Sequence, residues 1–268
     1  MDRLPLHLGR GRQLPSIQVV PNSGNRVGLN RGNSAIGPSL SRLVSAEVTP
    51  KIRRMTRRIK IDFVSDVSCP WCAIGLRSLD TALSRLGNDI QADIHFQPFE
   101  LNPQMGAEGE DIGEHIARKY GSGPEQLARN QEMIRERGAA LGFVFDLKKR
   151  SRIYNTFDAH RLLHWAQSTD KQKELKEALF VAYFTEGLNP GDLQVLENVA
   201  ASVGLDRERA RQILNSDEYA TEVRAREQLY QNAGIHAVPA VILNDRYLIE
   251  GGQPVEAFER ALRQVAQG

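Results

Sequence analysis

Apolar residues at Ile59, Ile61 and Phe63, with Lys60 and Asp62 between them, have the period of two expected of a strand over 59–64. The period then changes. Ile74, Leu76, Leu79 and Leu83 predict a helix over 73–86 that ends near Gly87. Ile90, Ala92, Ile94 and Phe96 restore the alternation over 90–99, and Leu101-Asn102-Pro103 ends it. Strand, helix, strand with one crossover implies a parallel pair. From 104 to about 215 no strand period recurs, and helical spacing appears over roughly 110–120, 124–141, 155–168, 171–186, 192–203 and 206–214. Pro124 suits a first helical turn. Asp192 and Asp206 suit N-caps, and Gly121, Gly187 and Gly204 suit C-terminal stops. Leu175, Leu179, Ala182 and Tyr183 make an apolar stripe that should face a core. A helix over 217–233 leads to Val238-Pro239 and a strand over 240–243. Asn244-Asp245-Arg246 turns the chain into 247–249, an antiparallel hairpin. Pro254 opens the last helix, which buries Val255, Phe258, Leu262 and Val265.

This order predicts an α/β protein: a thioredoxin-like fold with a large all-helical insertion. Residues 57–103 and 216–268 form the thioredoxin-like domain and 104–215 the helical insertion domain. Residues 1–56 form a disordered basic leader, with five prolines, six glycines and no sustained period. Met55, four residues before the first strand, is the alternative start. The leader also has the Arg- and Ser-rich, acid-poor character of a transit peptide, although its Pro and Gly density opposes an amphipathic helix.

Composition narrows the function. With 41% apolar residues, the 268-residue chain can bury a real core. No apolar run approaches the ~20 residues of a membrane span, so no membrane partner is expected. The net charge of +2 conceals an asymmetry: residues 1–58 carry +9 and the remainder −7. The folded part is therefore a poor surface for a phosphate backbone, and nucleic acid is not an expected partner. No secretory signal precedes the fold, which points to the reducing cytoplasm. The sequence sets no oligomeric state.

The two cysteines of the chain are Cys69 and Cys72, in Cys69-Pro70-Trp71-Cys72 at the start of the first helix. A single pair cannot be a four-cysteine zinc site, and a lone CxxC beside a βα unit points to redox chemistry. A thiolate attacks a disulfide, whereas a thiol does not. The N–H groups and dipole of a helix start favour an anion. Cys69 is accordingly expected to be the exposed nucleophile, with a lowered pKa. Cys72, one turn in and more buried, resolves the mixed disulfide. Pro70 fixes the first turn, and Trp71 is the exposed residue that tunes the pair and meets substrate. At the mouth of an apolar strand, Pro239 removes a ladder donor. A cis Val238-Pro239 bond explains it and turns the Val238 backbone toward Cys69 to pair with an extended substrate.

Several stretches together resemble the DsbA-like thiol oxidoreductases, specifically the FrnE-type branch. They are Ser65-Asp66-Val67-Ser68 leading into the CPWC motif, Pro98-Phe99-Glu100-Leu101-Asn102-Pro103, Asn155-Thr156 with Ala159-His160-Arg161-Leu162, Ala182-Tyr183-Phe184, and Gly251-Gly252-Gln253-Pro254. The resemblance covers 57–268. It implies dithiol-disulfide oxidoreductase activity, with Cys69 and Cys72 as the reacting pair and Pro239 as the cis-proline. Ala237 and Ala240 depart from it, standing where Gly and Thr or Ser are expected.

Asp62, Asp66 and Glu100 are candidates to relay the Cys72 proton, or else are edge and capping carboxylates. Asn155 and His160 are candidates to line the substrate groove, Asn155 alternatively capping its helix. His160 and His164 have metal-capable i, i+4 spacing, but no Glu at 161 completes a protease motif, and no metal is expected. Lys148-Lys149-Arg150 with Arg152 reads as a solvated charge run. The expected substrate is a thiol- or disulfide-containing protein or small molecule. No cofactor is expected, with glutathione as a candidate reductant. The alternative is a glutathione-dependent isomerase or transferase of the hydroxychromene-carboxylate isomerase or kappa type. Those enzymes resemble the chain over the same length but carry serine at the position of Cys69.

Overall fold

In a computed structural model the described residues are 56–267. The basic leader, apart from Thr56, and the alternative start at Met55 lie outside them. In chain order the elements are β1 (Arg57–Ser65), α1 (Pro70–Leu86), β2 (Ile90–Pro98), β3 (Glu110–Asp111), α2 (Ile112–Tyr120), α3 (Pro124–Ala140), β4 (Arg152–Ile153), α4 (Phe157–Ala166), α5 (Gln172–Phe180), α6 (Leu193–Ser202), α7 (Arg207–Leu214), α8 (Ala220–Asn232), β5 (Ala240–Leu243), β6 (Tyr247–Glu250) and α9 (Val255–Gln267).

The central sheet has the order β2-β1-β5-β6. β1 runs parallel to β2 and antiparallel to β5. Alternation along β1 assigns its two faces. Ile59, Ile61 and Phe63 pack with Leu76 and Leu79 of α1 and with Phe258 and Leu262 of α9. Val64, on the opposite face, packs with Tyr230 of α8 and with Ala240 and Ile242 of β5. β2 is an edge strand, and an open edge is a pairing hazard. Here α5 closes it: Gln172 Oε1 accepts from Phe96 N at 2.8 Å, and its Nε2 donates to Phe96 O at 3.1 Å. The same Nε2 donates to Leu163 O in α4 at 3.1 Å.

The inserted helices have their own core, built on Leu162, Leu175, Leu179, Leu196, Ala200 and Ile213. The two cores exchange residues. Val67, in the loop before Cys69, is fully buried in the inserted core, while Phe180, Tyr183 and Phe184 belong to the sheet core. The reacting turn is therefore held by both.

Three details correct the sequence reading. A two-residue strand pair, β3 with β4, lies inside the segment where no strand is expected. It is too short to show a period, and Arg152 braces it by donating to Glu108 O and Gly109 O, each at 3.1 Å. The predicted 171–186 helix is α-helical to Phe180 and continues as a π-helical turn over Val181–Thr185. Arg150 is not solvated: it is buried, its guanidinium 4.9 Å from the Tyr183 ring centre and 5.1 Å from that of Phe184. Among the described residues no helix is long and apolar enough to cross a membrane.

Candidate active site

Cys69 is the N-cap residue of α1, with φ −90° and ψ 112°, and Pro70 follows in the first turn. Its carbonyl accepts from Cys72 N at 3.0 Å, the first bond of the helix. The two thiols are unbridged. Both are buried, Cys69 at 4% exposure and Cys72 at 0%. The exposure expected of Cys69 is thus corrected. Val238 lies against it, and the Cys69 thiol donates to Val238 O at 3.6 Å. Burial pushes the Cys72 thiol up, the neighbouring Cys69 adds to this, and the Lys176 ammonium opposes it.

The Val238–Pro239 peptide bond is cis. Pro239 is buried, and its carbonyl accepts from Gly251 N at 2.8 Å. Gly75, in the middle of α1, makes this approach possible. A Cβ there would stand 3.2 Å from Pro239 Cγ and 3.5 Å from Gly252 Cα. An interior glycine weakens a helix by about 1 kcal/mol relative to alanine, and here it admits two loops beside the thiols. Trp71 is half-buried rather than exposed, because Arg137 of α3 covers its ring at 5.2 Å and Gly252 approaches its backbone.

The turn that delivers Cys69 is pinned by Asp66. Its carboxylate accepts from Ser68 N at 3.0 Å, from Ser68 Oγ at 2.9 Å and from Leu101 N at 2.7 Å. His160 Nε2 stands 3.7 Å from it, an ion-pair distance rather than a hydrogen bond. Burial alone would raise this carboxyl; the His160 imidazole and the Leu101 and Ser68 N–H groups outweigh it and hold it at about 2. With the folded pKa below its ordinary 3.8, Asp66 stabilises the folded chain above about pH 4. That contribution, about 2 kcal/mol, is lost as pH falls through the folded pKa. Urea unfolding of Asp66→Asn from pH 5 down to 2 is expected to show a shallower acid limb than wild type. Parallel limbs would remove Asp66 from the acid response.

The structure separates the remaining candidates. Asp62 lies on the β1 face away from α1, between Lys60 Nζ at 2.9 Å and Gln97 Nε2 at 2.8 Å. It faces Tyr230, whose phenol is pushed up by burial and then by the Asp62 charge. Asp62 is therefore not beneath Cys72, contrary to the relay expectation, because strand alternation turns it to the α8 side. Glu100 is buried in an ion pair with Arg224, which also holds Glu227. Burial raises its carboxyl and Arg224 opposes this. Asn155 Oδ1 accepts from Phe157 N at 2.8 Å, an Asx turn that leads into α4, whose N-cap is Thr156. His160 is 2% exposed, with an Nε2 that has no hydrogen-bond partner among the described residues, while His164 stacks on Tyr219 at 5.2 Å. Among the described residues no group of three or more His, Cys, Asp or Glu side chains could hold a metal.

Two residues of the site are missing from the sequence reading: Gly75 and Lys176. Lys176 is 1% exposed on α5. Its spacing to Phe180 and Tyr183, at i+4 and i+7, was the available signal that a lysine lies on a buried helical face.

This geometry can be set beside known proteins. YwbO of Bacillus subtilis (strain 168) is 29% identical over 209 residues, 78% of this chain and 96% of YwbO. The crystal structure of the probable DsbA oxidoreductase SCO1869 from Streptomyces coelicolor is 30% identical, with a TM-score of 0.72 over 78% of this chain and 90% of that one. A 2-hydroxychromene-2-carboxylate isomerase shares the fold at 16% identity, with a TM-score of 0.58 over 78% of this chain and 96% of that one. Residues 60–263 match the DSBA-like thioredoxin domain, and the chain belongs to that family.

Proposed function

We propose that the chain is a thiol-disulfide oxidoreductase whose reacting groups are Cys69 and Cys72. One observation carries this reading: two unbridged thiols sit in the first turn of α1, the outer one on the Val238 carbonyl and the inner one sealed from solvent. The Cys69 thiolate attacks a sulfur of a substrate disulfide and forms a mixed disulfide. Cys72 then attacks Cys69, closes the intramolecular disulfide and releases the substrate as a thiol. The reverse sequence oxidises a substrate dithiol. The Val238 backbone and Trp71 border the site, and an extended segment bearing the substrate sulfur would lie along them. The substrate class is a thiol- or disulfide-containing protein or small molecule, and no resident cofactor is required. In a reducing compartment the pair rests as the dithiol, with glutathione as the candidate reductant. Membership of the FrnE-type branch fits the same motifs.

The fold is shared with an isomerase, so the thiols must decide. Equilibration of the full chain in glutathione redox buffers, followed by thiol labelling and mass spectrometry, is expected to give one two-electron transition between dithiol and Cys69–Cys72 disulfide. Its midpoint sets the direction of catalysis, ~30 mV corresponding to about 1.4 kcal/mol. If Cys69 takes up glutathione and no intramolecular disulfide forms, the glutathione-dependent isomerase becomes the better reading.

A further inference from the structure

Two buried carboxyl groups share a single guanidinium. Glu100, in the loop after β2, and Glu227 of α8 each place Oε2 on the same nitrogen, Arg224 Nη1, Glu227 at 2.7 Å. Their side chains are 2% and 7% exposed. Each Oε1 is buried and has no hydrogen-bond partner among the described residues. The guanidinium is itself held in place, its carbon 3.8 Å from the ring centre of Phe157 in α4. Oxygens bound to one nitrogen are neighbours, and neighbouring buried carboxyl groups that share one cation resist double ionisation.

Burial is the main cause that raises both carboxyls, and Arg224 opposes it in each. The two then diverge. The Glu227 charge raises Glu100 further, whereas a hydrogen bond from Glu100 lowers Glu227, so the proton belongs on Glu100. His160 of α4 also acts on Glu100, and Asp66 of the reacting turn acts on Glu227.

The pair joins the two sides of the dithiol. Next to Glu100, Leu101 N donates to Asp66 Oδ2 at 2.7 Å, and Asp66 Oδ1 holds the N–H of Ser68, the residue before Cys69. Past the end of α8, Ile235 N donates to Tyr230 O at 3.0 Å, and three residues later Val238 O accepts from the Cys69 thiol at 3.6 Å. Leu101 and Val238 pack on one cluster with Val64, Tyr230 and Ile235.

We propose that Glu100 and Glu227 hold one proton between them on Arg224, and that this pair is a clasp between the loop after β2 and α8 that positions both sides of the reacting turn. Glu100 is thereby a positioning residue, acting on Cys69 through Leu101 and Asp66. Loss of the proton to water puts two anions on one guanidinium and loosens the loop from α8. Because the folded Glu100 carboxyl lies above its ordinary 4.5, the clasp is at full strength below about pH 4.5 and is lost as pH rises through the folded value. The shared proton stands apart from the oxidoreductase reading; the positioning role rests on that reading.

Infrared difference spectra of the full chain near neutral pH test the proton directly. Wild type should show a carboxylic-acid carbonyl band that is absent from Glu100→Gln and equally from Glu227→Gln, since either variant leaves one carboxylate for one guanidinium. A band that survives Glu227→Gln would mean that the proton is not shared and overturn the proposal, as would the lack of any such band in wild type. Glutamine at 100 donates permanently, as the protonated carboxyl does. In urea unfolding Glu100→Gln should therefore gain on wild type as pH rises from about 5 to 9, and a constant difference overturns the clasp. The positioning role is read from the rate of exchange with an aryl disulfide whose released thiolate is coloured. Glu100→Ala should slow it by about tenfold, and Glu100→Gln should bring it back to within about threefold of wild type. Equal rates in wild type and Glu100→Ala overturn the positioning role. If Glu100→Ala does not fold, the ratio of the wild-type rate to that of Glu100→Gln decides: it should fall with rising pH over the range in which their stabilities diverge, and a constant ratio overturns the role. Absence of exchange in wild type would instead sink the oxidoreductase reading and leave the infrared result standing.

Discussion

Replacing Cys69 with serine should abolish thiol-disulfide exchange, a loss of at least about 10³-fold, with the fold retained. The substitution swaps one atom. A serine hydroxyl is small enough for the same pocket and can donate to the Val238 carbonyl, as the thiol does at 3.6 Å. What it lacks is an anion accessible at neutral pH and the ability to form a sulfur–sulfur bond. Cys72→Ser should behave differently. Cys69 still attacks, but the mixed disulfide has no resolving thiol and accumulates, visible by intact mass spectrometry as an adduct removed by reductant. Insulin reduction or the aryl disulfide assay measures both variants. Exchange by Cys69→Ser at more than about a tenth of the wild-type rate would sink the assignment of Cys69 as nucleophile.

Arg161→Met should destabilise the chain by about 3–5 kcal/mol, the range for removing one member of a buried charged network. Arg161 is 4% exposed on α4. Its Nε donates to Glu218 O at 2.9 Å, its Nη1 pairs with Asp158 Oδ1 at 2.7 Å, and its Nη2 donates to Ile213 O and Ser216 O. One guanidinium thus holds one carbonyl of the last turn of α7 and two of the α7–α8 connection. Methionine fills much of the same volume but leaves those acceptors without a donor, each costing about 1–3 kcal/mol if it stays buried. For a domain of this size the melting midpoint should fall by roughly 10 °C. Urea denaturation with an unchanged m-value checks it, and a loss below about 1 kcal/mol would show that water replaces the arginine.

Much of this fold is legible in the sequence because periodicity reports local geometry. The alternation Ile59, Ile61, Phe63 predicts a strand and a buried face, and both are present in β1. Asp192 and Asp206 cap α6 and α7 through Val195 N and Arg209 N, and Pro124 opens α3. These are contacts within a few residues, so residue type and spacing suffice. The failures have the opposite character. Arg150 belongs to a charge run in sequence, yet its environment is set by Tyr183 and Phe184, more than thirty residues on. Trp71 sits between two thiols in sequence, yet Arg137 of the insertion covers it.

The sequence by itself determined the element types, their order, the family resemblance and the position of the dithiol at a helix start. Each of these follows from hydrophobic period, capping chemistry and the presence of two cysteines in a single motif. Only the tertiary structure decided which groups share the buried space around those thiols. Asp62 is seven residues from Cys69 and faces away, whereas Lys176, more than a hundred residues distant and buried on α5, opposes the rise of the Cys72 thiol. Side-chain direction on a strand is fixed by alternation relative to a sheet whose faces are not known until the helices dock. Electrostatic influence follows distance and burial, and chain separation reports neither.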